Sequence, residues 1–473
     1  MIPRICLILL ATAAVLNAAE RPNVLVFYAD DFRADAIAAL GNSAVRTPHL
    51  DALAASGAVF SHAHGMGSLQ PAVCIPARAM LLSGRTLFRV SEKIEGTDTW
   101  PEAFARAGYA TFITGKWHNF EASLRRVFPQ GKAAFLTGMG DPYDMPLFDL
   151  EGGNIVRERR SAGRHAMEIF AEAAGEFIAA QTPAKRWLCY VPFSASHDPH
   201  IAPPEVRARI ADATLPLPAN FLPQHPFDNG AVLMRDEQLD RWPRTPEMIR
   251  RRLGDYYAVV THLDEQVGRI LAALEKSGQR GNTLIVFSSD SGLAVGSHGL
   301  LGKQSLYEHS SRSPLIVAGP GVTPGARPEA LVYLSDIFPM LGALARVPAP
   351  EGSEGRSFAA VLSGAQTRHR DDLLLAYADS QRALHTGQWK LIRYPRAGVT
   401  QLFDLAADPA ETRNLADDPA QAGRLAEMLA TLQARQKEFG DKLPITDGSA
   451  RPAAWVPPSG EKLGEMLRKV RRK

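Results

Sequence analysis

The chain has 473 residues, 45% of them hydrophobic, enough to bury one large core and a smaller one and more than a typical single domain holds. Its 53 basic and 50 acidic residues leave a net charge of +3, which removes any bulk electrostatic case for nucleic acid or an anionic membrane as partner.

Residues 1–19 carry Arg4, an apolar run from Ile5 to Leu16 and small residues at Ala18 and Ala19, the pattern of a secretory signal peptide. The run is shorter than the roughly 20 residues of a spanning helix. No other stretch approaches that length, so the sequence predicts a periplasmic or secreted protein without a membrane span. Past the signal the cysteines are Cys74 and Cys189. Cys189 lies in the apolar run Trp187–Val191 and reads as core; if Cys74 is modified, no intrachain disulfide is possible.

Asn23–Ala29 is a continuous apolar run, the pattern of a strand buried on both faces, and it ends in Asp30-Asp31. In open α/β sheets that edge is where ligands bind. Two adjacent aspartates repel each other; a hard divalent cation with oxygen ligands would relieve this, and one helix-capping Asp beside a solvated one fits as well. A helix begins near Pro48. A glycine-containing loop then leads into Cys74-Ile75-Pro76-Ala77-Arg78, and Ile75–Leu82 reads as a helix with Pro76 in its first turn. Cys74 therefore stands at a helix N-terminus, where free N–H groups and the dipole favour an anion. Arg78 lies four residues on, along the same face, and could hold that anion. A buried structural cysteine followed by a surface arginine fits these residues too.

Thr99–Ala107 reads as a helix and Tyr109–Thr114 as a strand, followed by Gly115-Lys116-Trp117-His118. Lys116 and His118 point to different faces unless the turn folds them inward. Residues 120–165 read as loop-rich, a place for insertions. A helix over 164–180 precedes the strand Trp187–Phe193, and Ser196-His197-Asp198-Pro199-His200 follows. Between Pro203 and Pro246 prolines are dense and periodicity is absent, which predicts a long excursion of the functional kind. Glu247–Ser277 has the spacing of one amphipathic helix covering the sheet. Thr283–Ser289 is another buried-strand pattern ending in Asp290-Ser291, and a third carboxylate at a strand end strengthens the metal reading. Gly299–Ser305 superficially resembles a phosphate loop but fails that template, since Gln304 stands where Ser or Thr must bind magnesium. After Pro348 come a linker over 349–357, short strand patterns near Leu373, Gln388 and Gln401, and an amphipathic helix over 420–439. Together these predict a small antiparallel sheet with a helix against it. The basic run Arg468–Lys473 reads as a solvated terminus, with weak contact to a polyanionic substrate as the alternative.

The string Cys74-x-Pro76-x-Arg78, continuing through Ala79 to Leu82-Ser83-Gly84-Arg85, resembles the signature of the type I sulfatases, in which the cysteine is oxidised to formylglycine. Gly115–His118, Ser196–Pro199, the Gly302-Lys303 segment running on to Leu315, and Trp389–Ile392 with Leu402–Leu405 resemble further elements of that family in the same order, so the likeness spans about residues 22–440. It implies an alkaline-phosphatase-like α/β sandwich with a large mixed sheet between helices, over residues 20–348. A C-terminal antiparallel sheet-and-helix subdomain would follow over 349–440, and a tail over 441–473. It also implies a formylglycine made from Cys74 by a maturation enzyme and one Ca2+ held by Asp30, Asp31 and Asp290 with position 74. Arg78, Lys116 and Lys303 would be cations facing the sulfate, His118 would act on the nucleophile, and His197 would protonate the leaving oxygen. The family commonly has Asn or His after the strand-end aspartate. Here Ser291 stands there, and its hydroxyl or a water would complete the metal site. The expectation is an exported enzyme acting on a sulfated saccharide. A phosphonate or phosphate monoester hydrolase of the same fold and a non-catalytic sulfated-glycan binder are the alternatives.

Overall fold

In the computed structural model residues 21–446, 454–459 and 465 are described; the expected signal peptide over 1–19 and the run Arg468–Lys473 lie outside them. Among the described residues, Asn23–Ala29 sits in the interior of a nine-stranded sheet. In spatial order its strands are Ala58–Val59, Leu315–Ala318, Thr283–Ser289, Asn23–Ala29, Trp187–Pro192, Ala110–Lys116, Gln130–Phe135, Pro146–Glu151 and Asn154–Arg160. Neighbours are parallel from Thr283–Ser289 through Gln130–Phe135 and antiparallel outside that block. The sheet is therefore mixed, as expected.

The apolar run of the first strand serves two cores at once. Leu25, Phe27 and Ala29 face helices Pro48–Ser56, Ala166–Ala179 and Pro246–Lys276, whereas Val24, Val26 and Tyr28 face the opposite layer, which includes Cys74–Ser83, Trp100–Arg106 and Ile337–Ala345. Side chains alternate across a strand, so a strand covered on both faces must be apolar at every position. Register then has a direct consequence for chemistry. Ala29 pairs with Ser289, and this brings the next residues, Asp30-Asp31 and Asp290-Ser291, side by side at the carboxyl edge of the sheet.

Residues 120–165 differ from expectation. They form helix Glu121–Val127 and three strands that extend the main sheet. The last two make a hairpin turning at Gly152 and Gly153, both in the left-handed region with φ of 57° and 76°. The outermost strand, Asn-Ile-Val-Arg-Glu-Arg-Arg, is mostly exposed. A charged edge strand buries neither face, so it has no hydrophobic period to reveal it, and its charges discourage pairing with another chain. The Gly-Gly turn was the available signal.

The second sheet joins Leu373–Tyr377, Gln381–His385, Trp389–Tyr394 and Val399–Asp404 in antiparallel order, and Gly67–Ser68 from the main domain adds a parallel edge. Gly67 has φ of 94°, and a Cβ there would stand 2.0 Å from the Ala376 carbonyl oxygen, so only glycine allows this junction. Leu374, Leu384, Leu391 and Leu402 face helix Ala422–Phe439 through Met428 and Leu432; Leu373, Leu375, Ala383 and Ile392 face Ala77 and Met80 of the helix that begins at Cys74. The small sheet thus packs directly behind that helix. No helix among the described residues is long and apolar enough to cross a membrane.

Asp336 fastens the two parts. Fully buried, it accepts from Arg370 at 2.7 and 2.5 Å, from His369 at 3.1 Å and from the backbone N–H groups of Tyr333 and Arg356. Burial alone would raise its pKa, but Arg370 and His369 outweigh it and hold the carboxyl at about 2. Asp336→Ala should therefore cost about 3–5 kcal/mol of unfolding free energy in denaturant titration. The contribution of Asp336 is complete above about pH 4, the unfolded value, and is lost as the pH falls through 2, so the gap between wild type and variant should narrow over that range.

Candidate active site

Three carboxylates and three cations meet at the carboxyl edge of the main sheet, all buried. Asp30 Oδ2 accepts from Arg78 Nη2 at 2.9 Å and pairs with Lys116 Nζ. Both oxygens of Asp31 accept from Lys303 Nζ at 2.7 Å, and Oδ1 also accepts from Ser291 Oγ at 3.0 Å. Asp290 Oδ1 accepts the Asp31 backbone N–H at 3.0 Å, while its Oδ2 lies 3.8 Å from Arg78 Nη2. Burial favours the neutral acid, but Lys116 and Arg78 hold Asp30 well below the usual carboxylate range. Asp290 has no cation of its own at bonding distance, and burial together with the Asp30 charge pushes it up to about 7. Burial disfavours the Lys303 ammonium, yet Asp31 keeps its pKa well above the ordinary value.

Asp30 Oδ1 and Asp290 Oδ2 are buried and accept no hydrogen bond. Ligand atoms of Asp30, Asp31 and Asp290 lie within 4.8 Å of one another. Orphaned carboxylate oxygens converging in this way fit a hard divalent cation with oxygen ligands. Ser291 reaches the group through Asp31.

Cys74 opens helix Cys74–Ser83 and is 2% exposed. Its sulfur lies within 4.8 Å of ligand atoms of Asp30 and His197. Burial pushes the thiol up to about 11 against the pull of Lys116 and Lys303, so an unmodified Cys74 is a neutral thiol at neutral pH and a poor nucleophile. Arg78 does not fork onto position 74 as its helical spacing allowed. It binds Asp30 and the Lys116 carbonyl, the latter at 3.0 Å.

Lys116 ends strand Ala110–Lys116, and the chain then turns so that His118 adopts φ of 68°. This left-handed residue is what brings Lys116 and His118 into one pocket; non-glycine residues hold such conformations where surrounding contacts enforce them. Trp117 anchors the turn, its Nε1 donating to the Phe120 carbonyl and Ser123 Oγ, and Asn119 donates to the carbonyls of Ile75 and Glu92. Burial and the Lys116 ammonium lower the His118 pKa to about 2, so its ring is neutral.

His197 joins the cluster through Nε2, 3.8 Å from Asp31 Oδ2, with Nδ1 turned to Asp198. Burial and Lys303 work against its charged form, but Asp31 and Asp198 outweigh them and raise its pKa. His200 lies outside the cluster, its ring against the Tyr256 edge.

The proline-rich excursion supplies residues whose part was not visible in the sequence. Its short 3₁₀ turn Asp236–Leu239 sets Glu237 under the Lys303 loop. There Glu237 accepts the N–H groups of Leu301 and Gly302 and pairs with Arg244 at 3.0 Å. Asp236 accepts from Gln304 at 2.7 Å, and Arg235 binds Asp198. The Arg-Asp-Glu triplet at 235–237 was one hint, but other charged residues, such as Arg207, Asp212 and Asp228, share the same proline-rich stretch. A cavity of about 440 Å³, lined by Met139, Asp198, His200, Arg235, Arg252 and Leu293 among others, adjoins His197 on this side. The carboxylate cluster and Cys74 do not line it; they are enclosed beside it.

Residues 22–347 match the family model described as Sulfatase, and residues 296–438 match that described as N-sulphoglucosamine sulphohydrolase, C-terminal. An N-acetylglucosamine-6-O-sulfatase of Bacteroides thetaiotaomicron is 26% identical, with 90% of this chain and 88% of that protein covered. A choline-sulfatase of Rhizobium meliloti is 28% identical over 84% of this chain and 83% of its own. A protein solved in complex with its substrate D-glucosamine-2-N,6-O-disulfate shares the fold with a TM-score of 0.77 at 22% identity, covering 90% of this chain and 99% of that one.

One glycine tests the left-handed turn. A Cβ on Gly138 would stand 2.7 Å from His118 Nε2, so Gly138→Ala must displace the imidazole. Sulfate-ester turnover should fall about 10- to 100-fold, as misplacing a reacting group by about 1 Å does, with the melting temperature nearly unchanged.

Proposed function

The chain belongs to the sulfatase family and is a sulfuric ester hydrolase, and we propose that it cleaves a sulfated saccharide using a formylglycine made from Cys74 and a calcium ion at the aspartate cluster. The observation that carries this reading is the convergence of Cys74 with three buried cations and three buried carboxylates, two of whose oxygens accept no hydrogen bond. The saccharide is supported by the sugar named for one curated relative. It is also supported by the cavity of about 440 Å³ beside His197, which lies within the roughly 300–1,000 Å³ of small-molecule sites. Residues 1–19 support export, and maturation by a formylglycine-generating enzyme follows from the same reading.

The aldehyde, once hydrated, supplies a hydroxyl on the reactive carbon at position 74 as the attacking oxygen, splitting one difficult step into two. Asp30, Asp31 and Asp290 would hold the calcium, with Ser291 supporting Asp31; the ion supplies Lewis-acid stabilisation of charge on the sulfuryl oxygens. Arg78, Lys116 and Lys303 line the same enclosed space. Their positions are already enforced by carboxylates, so they meet developing negative charge without reorganising. His118 is neutral and its Nδ1 is buried without a partner, which suits it to accept a proton or hydrogen bond from the attacking hydroxyl. His197 is the opposite case: with Nδ1 held against Asp198 and Nε2 turned toward the cluster, it is placed to give a proton to the departing alcohol oxygen.

The test is sulfate release by protein co-expressed with a formylglycine-generating enzyme, over sulfated saccharides, choline sulfate, 4-nitrophenyl sulfate and a phosphonate monoester. A sulfated saccharide should be the best substrate, and Cys74→Ala should lose at least about 10³-fold; retained turnover in the variant, or preference for the phosphonate, overturns the reading. Calcium is tested separately by thermal melting. Saturating Ca2+ at about 100 times its dissociation constant should stabilise the wild type by about 2.7 kcal/mol. It should leave Asp290→Asn nearly unmoved.

A further inference from the structure

We infer that Asp198 and Arg235 are positioning residues that hold the His197 imidazole with Nδ1 protonated and Nε2 presented to the reacting atoms. The inference rests on the part assigned to His197 above.

The Asp198 carbonyl oxygen lies 2.8 Å from His197 Nδ1, and its carboxylate Oδ1 lies 3.2 Å from the same nitrogen. Both atoms are acceptors only, so Nδ1 must carry the proton that satisfies them. Nε2 is thereby left as the nitrogen that exchanges a proton, and it is the one turned to Asp31 and to the Cys74 side of the cluster. The carboxylate is itself fixed by a two-pronged contact from Arg235, Nη1 to Oδ2 at 2.7 Å and Nη2 to Oδ1 at 2.6 Å. Such a fork sets the plane of the carboxylate as well as its distance. Arg235 is held in turn by Asp236 Oδ1, which accepts from its Nε at 2.8 Å. The chain of contacts is short and directional: Asp236 holds Arg235, Arg235 orients Asp198, and Asp198 orients the ring.

The arrangement also explains why a long excursion returns to the site. Arg235 lies 37 residues from Asp198, yet the pair is largely buried, with side-chain exposures of 27% and 12%. A surface loop has no need of such a contact. At the edge of the cavity it fixes the face of His197 that a leaving alcohol would approach.

A leaving-group comparison separates positioning from mere loop docking. 4-Nitrophenol departs without a proton, whereas a sugar alcohol needs one. With mature, calcium-loaded enzyme, Asp198→Asn should lower kcat on the best sulfated saccharide of the panel about 100-fold, within the span of general acid catalysis. On 4-nitrophenyl sulfate the loss should be about threefold or less, and KM should change little on either ester. Arg235→Gln should show the same selectivity at smaller size, partly restored in Arg235→Lys. The downfield Nδ1–H proton resonance of His197, assigned by its loss in His197→Asn, should be present in the wild type and shifted or lost in Asp198→Asn, whatever the substrate. Equal losses on both esters in Asp198→Asn with the resonance unmoved, while His197→Asn remains selective, would sink this inference alone. A His197→Asn variant impaired equally on both esters would overturn the assignment of His197 as well.

Discussion

Charge buried at the strand ends is the constraint on which the rest depends. An unpaired carboxylate in the interior costs far more than folding can supply, so Asp30, Asp31 and Asp290 can stay ionised only where cations meet them. Arg78 comes from the helix that starts at Cys74, Lys116 from the end of strand Ala110–Lys116, two places along the sheet from Asn23–Ala29, and Lys303 from the loop that follows Thr283–Ser289. No two of these cations share an element. The site is therefore formed only when helix, strand and loop have all docked, and closing it is part of folding. Asp290, left with the weakest pairing and a pKa of about 7, marks where the balance remains open to a further cation.

Further contacts behind these cations keep them in place. Glu237 holds the backbone ahead of Lys303, Asn119 ties the His118 turn to the first turn of the Cys74 helix, and the C-terminal sheet packs against Ala77 and Met80 of that helix. The C-terminal sheet thereby fixes the helix that begins at Cys74. Its attachment runs through a few buried polar contacts, notably Asp336 with Arg370 and the Lys390 ammonium between Glu308 and Glu411 at 2.9 and 3.0 Å. Polar contacts of this kind are directional, which suits them to fix one docking geometry.

Much of the site was legible because its parts are local. A continuous apolar run followed by Asp-Asp marks a doubly covered strand ending at a ligand edge, and Cys-x-Pro-x-Arg marks a helix start. The partner of Arg78 was not legible. Helical spacing offered position 74, but the guanidinium reaches across to Asp30, whose buried charge needs neutralising. His118 was ambiguous for a similar reason, since a φ of 68° is enforced by Trp117 and Asn119 and leaves no trace in the pattern. The edge hairpin over 146–160 escaped because an exposed strand carries no hydrophobic period.

By itself the sequence determined the buried strands, the covering helices, the carboxylates at strand ends and the family likeness, all of which depend on neighbours within a few residues. Tertiary structure alone decided which charges meet. Asp30 stands beside Asp290 because Ala29 pairs with Ser289, and Arg235 finds Asp198 because a proline-rich segment folds back over the sheet edge. Hydrophobic periodicity specifies which face of an element is buried. It does not specify register between distant strands or the path of an irregular loop, and contacts between far-separated polar groups follow from those two alone.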